Sequence, residues 1–146
     1  MLEPATPSCV AGTLRRATRS IARVYDKHLA AAGLTTTQLS LLRAIGDREE
    51  PLALSALAEE QVFERTSLYR ALEPLAREGL IAIRAGRGRA KCVALTAKGR
   101  RRLEQAMPLW RAAQDDFVSR FGLADWNRLS TQLMEIVGVA RAMPTE

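Results

Sequence analysis

Between Arg65 and Arg102 the chain carries eleven Arg or Lys residues against only Glu73 and Glu78, a local net charge of +9. Because the whole chain is +6, the residues outside that segment sum to −3. Guanidinium and ammonium groups concentrated in this way suit phosphate oxygens, which accept charge-assisted hydrogen bonds and release condensed counterions when neutralised. A solvated surface mixes its charges more evenly. Arg65, Thr66, Ser67, Tyr69 and Arg70 fall off the apolar stripe of Leu68, Leu72, Leu75 and Leu80, so one helix would present them outward. A helix fits the major groove of duplex DNA, where Arg65 and Arg70 suit phosphate or a bidentate pair with guanine. Thr66 and Ser67 suit phosphates near the helix start. Any wet helix face would be equally polar, so this helix alone does not decide the chemistry. The loop from Ala85 to Ala90 tips the balance: Arg87 and Arg89 sit on a small glycine-containing tip that suits a narrow minor groove. Lys91 follows the tip, and Ser55 completes the candidate DNA contacts.

Other chemistries find little support. There is no glycine-rich phosphate loop and no nucleophile motif, and the single histidine, His28, has no evident partner, so an enzyme is not expected. Cys9 and Cys92 lack the paired spacing of a metal site, so no metal is expected. No run approaches the roughly 20 apolar residues of a membrane span, and the N-terminus lacks a basic segment followed by an apolar one. No membrane partner is therefore expected, and the protein reads as cytoplasmic. A length of 146 residues with 47% hydrophobic and 26% charged residues fits a single folding unit.

Several elements must position these side chains. Leu14, Ala17, Ile21, Val24 and Leu29 recur at helical spacing up to Gly33. Thr35 and Gln38 have capping-box spacing at the head of a second helix, with Leu39, Leu42 and Ile45 as its buried stripe. Polar residues from Asp47 to Pro51 break the pattern, and Ser55 is predicted to cap a short third helix carrying Leu57 and Ala58. Only Val62, Phe63 and Glu64 separate it from the basic helix, which makes the pair a helix-turn-helix. Residues 80–84 and 91–95 are β-prone runs flanking the glycine-containing loop, and they read as a hairpin. Cys92, alternating with Val93, is expected on the packed side of that hairpin. Thr96 suits the N-cap of a fifth helix with Leu103, Met107, Trp110 and Phe117 on its stripe. After Gly122 a sixth carries Trp126, Leu129, Leu133, Ile136, Val137 and Ala140. The fold class is mainly α with a small β-hairpin wing (α+β).

In this order the segments resemble the multiple-antibiotic-resistance regulator (MarR) family over nearly the whole chain. The most specific stretches are residues 65–75, reading RTSLYRALEPL, Glu78-Gly79-Leu80, and residues 93–99, reading VALTAKG. Residues 14–17, Tyr25-Asp26, Gly33-Leu34-Thr35 and Gln38 also look like that family. The resemblance implies a winged helix-turn-helix with a helical dimerisation domain. Residues 1–146 form one unit, in which 8–33 and 97–142 make the dimerisation region and 34–96 the DNA-binding lobe. It implies a homodimer that represses by occupying a pseudo-palindromic operator on double-stranded DNA, with Leu14, Ile21, Trp126, Leu129, Leu133 and Ile136 at the dimer interface. No cofactor is implied beyond a small aromatic or phenolic effector. One departure stands out: family wings usually carry Asp-x-Arg, whereas Arg87-Gly88-Arg89 stands here. Losing the acid removes a local ion pair and adds positive charge, so a more mobile wing and a steeper salt dependence are expected.

Some relatives sense oxidants through a cysteine, and Cys9 lies near the start of the first helix with Arg15 and Arg16 close by. A thiol-based redox-sensing repressor is thus one alternative, against which free cysteine usually behaves as a small apolar residue. Arg16 and His28 are candidate ligand residues, although His28 near a helix C-terminus equally suits carbonyl capping. Trp110 and Trp126 read as packing residues. A nonspecific DNA-architectural protein would need the same basic segment but no preferred operator. A winged helix that meets protein instead of DNA fits the +9 segment less well.

Overall fold

In the computed structural model, which describes residues 8–145, the capping box works as read. Thr35 Oγ1 accepts from the Gln38 amide at 3.2 Å, and Gln38 Oε1 accepts from the Thr35 amide at 3.0 Å. The helix so started, α2, spans Thr36–Gly46 and follows α1, Val10–Leu29, and a 3₁₀ turn, Ala30–Ala32. Gly33 closes that turn at φ 67°, a left-handed conformation that glycine adopts without penalty. Asp26 ties the two helices together, accepting from the Thr36 amide at 2.6 Å and its hydroxyl at 2.7 Å.

The remaining helices are α3 Leu54–Glu60, α4 Arg65–Arg77, α5 Ala97–Phe121 and α6 Leu123–Ala142. Strands β1 Leu52–Ala53, β2 Ile81–Ala85 and β3 Lys91–Leu95 form an antiparallel sheet in the order β1-β3-β2. Leu52 pairs with Val93, and Ile83 pairs with Val93 from the other side. Contacts divide the chain into one unit ending at Trp110 and another beginning at Arg111.

In the first unit Leu29, Leu41, Leu42, Leu57, Leu68, Leu72, Leu75, Leu80 and Val93 are fully buried and supply the core. The second unit holds an aromatic cluster: Phe117 stacks on Phe121 at 5.4 Å and meets Trp126 edge-on at 6.2 Å. Among the described residues no helix is long and apolar enough to cross a membrane.

Three expectations need correction. Ser55 does not cap α3. The chain is extended as β1 up to Ala53, which takes the N-cap position, so Ser55 lies one residue inside the helix and is exposed. Strand β1 itself carries no alternating pattern to read, being two residues long. Leu80 does not continue the helix: Gly79, at φ 75°, lets the Gly79 amide reach Ala76 O (3.0 Å) and the Leu80 amide reach Leu75 O (2.9 Å). That pairing is a Schellman stop, with Leu80 folded back over Leu75. Cys92 lies on the opposite face of the sheet from the buried Val93, half-buried, and its sulfur packs so closely on Gly86 that a Cβ there would lie 2.6 Å away.

Candidate nucleic-acid interface

Helix α4 separates its faces as its sequence pattern requires. Leu68, Leu72 and Leu75 are buried, and Arg65, Thr66, Ser67, Tyr69 and Arg70 are exposed. The two acids of the basic segment are both engaged at the C-terminal end of this helix. Glu73 pairs with Arg77 at 2.7 Å and Glu78 pairs with Arg102 at 3.2 Å. Arg65, Arg70, Arg84, Arg87 and Arg89 have no ion-pair partner among the described residues. Positive charge is therefore left uncompensated on the N-terminal half of α4 and on the wing.

The wing is the β2–β3 hairpin with its tip at Arg87, Gly88 and Arg89. Gly86 N donates to Ala90 O at 2.7 Å, and Gly88 sits at φ 66°. Arg87 and Arg89 are both exposed there. Ser55, Arg65, Tyr69, Arg89 and Lys91 line one cleft of about 340 Å³ between α3, α4 and the wing. Thr66, Ser67, Arg70 and Arg87 do not line it. Lys91 Nζ stands 5.8 Å from the centre of the Tyr69 ring, a cation–π contact linking wing to helix.

The far end of α4 is fastened by the segment that follows the wing. Thr96 Oγ1 donates to Gly79 O at 2.6 Å and the Thr96 amide to Leu80 O at 3.1 Å. Lys98 Nζ donates to Glu78 O at 2.7 Å. Thr96 Oγ1 also accepts from the Gly99 amide at 3.0 Å, which caps α5 as its sequence suggests. At Gly99 a Cβ would overlap the Leu80 carbonyl, so only glycine permits this approach.

The candidate ligand residues do not converge. Cys9 is exposed at the N-cap of α1, where its Sγ accepts from the Gly12 amide at 3.4 Å. Arg16 is exposed, and His28 Nδ1 lies 2.9 Å from Val24 O one turn back, the carbonyl-capping geometry. A different cavity, of about 310 Å³, is lined by Tyr25, Leu39, Arg43, Gln61 and Trp110 among others, and by neither Arg16 nor His28. Arg43 stacks over Trp110 at 4.7 Å, and burial raises the Tyr25 phenol above its ordinary 10.0. Sequence reading missed this group because Arg43 and Trp110 lie on separate helices with no shared motif. Of the candidate dimer residues, Leu14, Ile21, Trp126, Leu129 and Leu133 are half-buried and Ile136 is 37% exposed.

A model of a winged helix DNA-binding domain matches residues 34–99, the span containing α2 to the start of α5. The transcriptional regulator MosR of M. tuberculosis, solved in complex with DNA, is 38% identical, with 92% of this chain and 98% of that chain covered and a TM-score of 0.85. A MarR family transcriptional regulator from Rhodococcus sp. RHA1 is 19% identical, covering 89% of this chain and 96% of that one, at a TM-score of 0.76. CouR from Rhodococcus jostii RHA1, bound to p-coumaroyl-CoA, is 20% identical over 95% and 96% of the two chains, at a TM-score of 0.77. The last two establish likeness of fold. No curated protein matches the chain.

The fold and the cationic face thus define a winged-helix DNA-binding protein. More narrowly, the chain belongs to the MarR family of transcriptional regulators.

Proposed function

We propose that the chain is a sequence-selective repressor that binds a pseudo-palindromic operator as a homodimer. In this reading 34–96 is the DNA-binding lobe, and 8–33 with 97–142 is the dimerisation region. Helix α4 enters the major groove with Arg65, Thr66, Ser67, Tyr69 and Arg70, Arg87 and Arg89 enter the minor groove, and Ser55 and Lys91 meet the backbone. The observation that carries it is the uncompensated charge of the α4 start and the wing on one lobe. It acts as a regulator rather than an enzyme, in the cytoplasm where its DNA lies.

The test is titration against the chain's own upstream DNA and a scrambled duplex of equal length at two salt concentrations. Selective, salt-sensitive binding by a dimer is expected, and Arg89→Ala should lower both affinity and salt slope. Equal binding to both duplexes would instead indicate an architectural protein, and no binding a protein-directed winged helix.

The effector in this proposal is a small aromatic or phenolic compound held in the Tyr25–Arg43–Trp110 cavity, whose volume lies at the lower end for small-molecule sites. Trp110 and Trp126 are the only tryptophans, so Trp126→Phe leaves a reporter in the cavity wall. Emission that stays unchanged while a ligand releases the DNA would place the effector elsewhere. The exposed thiol at the α1 N-cap favours a second reading, in which oxidation of Cys9 releases DNA. Peroxide should then act on the wild type and not on Cys9→Ser.

A further inference from the structure

We infer that the cleft between α3, α4 and the wing is a seat for one phosphate of the DNA backbone, and that Tyr69 is the positioning residue that holds Lys91 ready for it. This rests on the DNA-binding reading above and adds to it a defined ligand group and a division of labour. Three cations from two separate elements face one space: Arg65 from the first turn of α4, and Arg89 and Lys91 from the wing. No carboxylate lines that space, and neither arginine has an acidic partner among the described residues. Like charges gathered without a counter-ion repel, and an anion held among them relieves that repulsion. Ser55 adds a neutral hydroxyl donor on the α3 side. The volume of about 340 Å³ admits a phosphate with part of its sugars, and the three donor elements surround it from different directions.

Tyr69 distinguishes a built seat from a diffuse basic patch. Tyr69 is 39% exposed and the centre of its ring lies 5.8 Å from Lys91 Nζ, so the ammonium rests on a π face. A carboxylate in that place would orient the lysine and cancel its charge, whereas a ring orients it and leaves the charge available. Lys91 stands two residues after Arg89, opposite Ala85 in the hairpin register, so the contact also ties the wing to α4. One phosphate bound here would connect the groove read by α4 with the groove entered by Arg89. The phosphate carries no sequence information, so the seat contributes register and affinity but not base selectivity.

The experiment uses the full chain with Lys91→Met, Lys91→Arg, Tyr69→Leu, Tyr69→Phe and the Lys91→Met/Tyr69→Leu pair, each checked for an unchanged melting temperature. Binding to operator and scrambled duplexes is measured over a salt series. Lys91→Met should weaken both duplexes by the same factor and lower the log–log salt slope by about 1, and Lys91→Arg should restore the slope. Tyr69→Leu should cost about two- to fivefold more in affinity with Lys91 present than in the Lys91→Met background, and Tyr69→Phe should keep the wild-type coupling to Lys91. Operators carrying one neutral methylphosphonate linkage at a time should reveal one linkage per half-site that weakens the wild type but not Lys91→Met. An unchanged slope, additive Tyr69 and Lys91 effects, or no coupled linkage would each overturn the seat while leaving DNA binding in place. A wild type that binds neither duplex at any salt would overturn the DNA-binding reading and the seat together.

Discussion

The DNA-binding lobe and helix α6 are both rich in apolar residues, yet they use them in opposite ways. In the lobe Leu57, Leu68, Leu72, Leu75 and Val93 are completely enclosed by α2, α3, α4 and the sheet. Along α6 no residue is buried, and Leu123, Met134 and Val139 are each more than 60% exposed. Scattered exposed leucines are ordinary, but a helix of 20 residues without a single enclosed side chain gains little from its own chain to offset the entropy of ordering it. The contrast teaches that the lobe is stabilised from within, whereas α6 keeps its apolar surface open, the surface that the proposed homodimer would cover.

That contrast can be sharpened by substitution. The largest effect is expected for Leu72→Ala, which leaves a cavity in the lobe core and should reduce unfolding free energy by about 2–5 kcal/mol. Denaturant titration should give the same loss at every protein concentration. Leu133→Asp, on α6, should cost the dimer about 2 kcal/mol or more in association, seen by sedimentation as monomer, with operator binding weakened in parallel. A stable Leu133→Asp monomer that still binds tightly would break the comparison. Gly99→Ala forces a methyl group into the Leu80 carbonyl and should destabilise the lobe by about 1–3 kcal/mol in thermal melts, leaving dimerisation intact. The smallest effect is expected for Thr35→Ala, which removes one cap of α2 and should lower lobe stability by about 1 kcal/mol.

Much of the lobe was legible because its signals are local. Thr35 and Gln38 are three residues apart and satisfy each other's backbone. The β-prone runs around Gly86 and Gly88 are adjacent in sequence and pair as a hairpin. What escaped depends on residues far apart. Strand β1 exists because Leu52 and Ala53 find Val93 and Cys92, some forty positions away, and its extended backbone is what moved the start of α3 to Leu54. The same holds for the site. The charge concentration marked Arg65, Arg89 and Lys91 as phosphate-seeking, but their shared cleft arises from the folding of the wing beside α4. The stacking of Arg43 on Trp110 had no local signal at all.

The polar ties at Glu78, Gly79 and Leu80 couple the end of α4 to the start of α5. Lys98, Thr96 and Arg102 hold the C-terminal end of α4 through four bonds between 2.6 and 3.2 Å, while Arg65, Thr66, Ser67, Tyr69 and Arg70 at the other end are exposed around the buried Leu68. A displacement of α4 would therefore be passed to the first turns of α5 through these bonds. By the same ties, a rotation of those turns would be carried to the exposed face of α4.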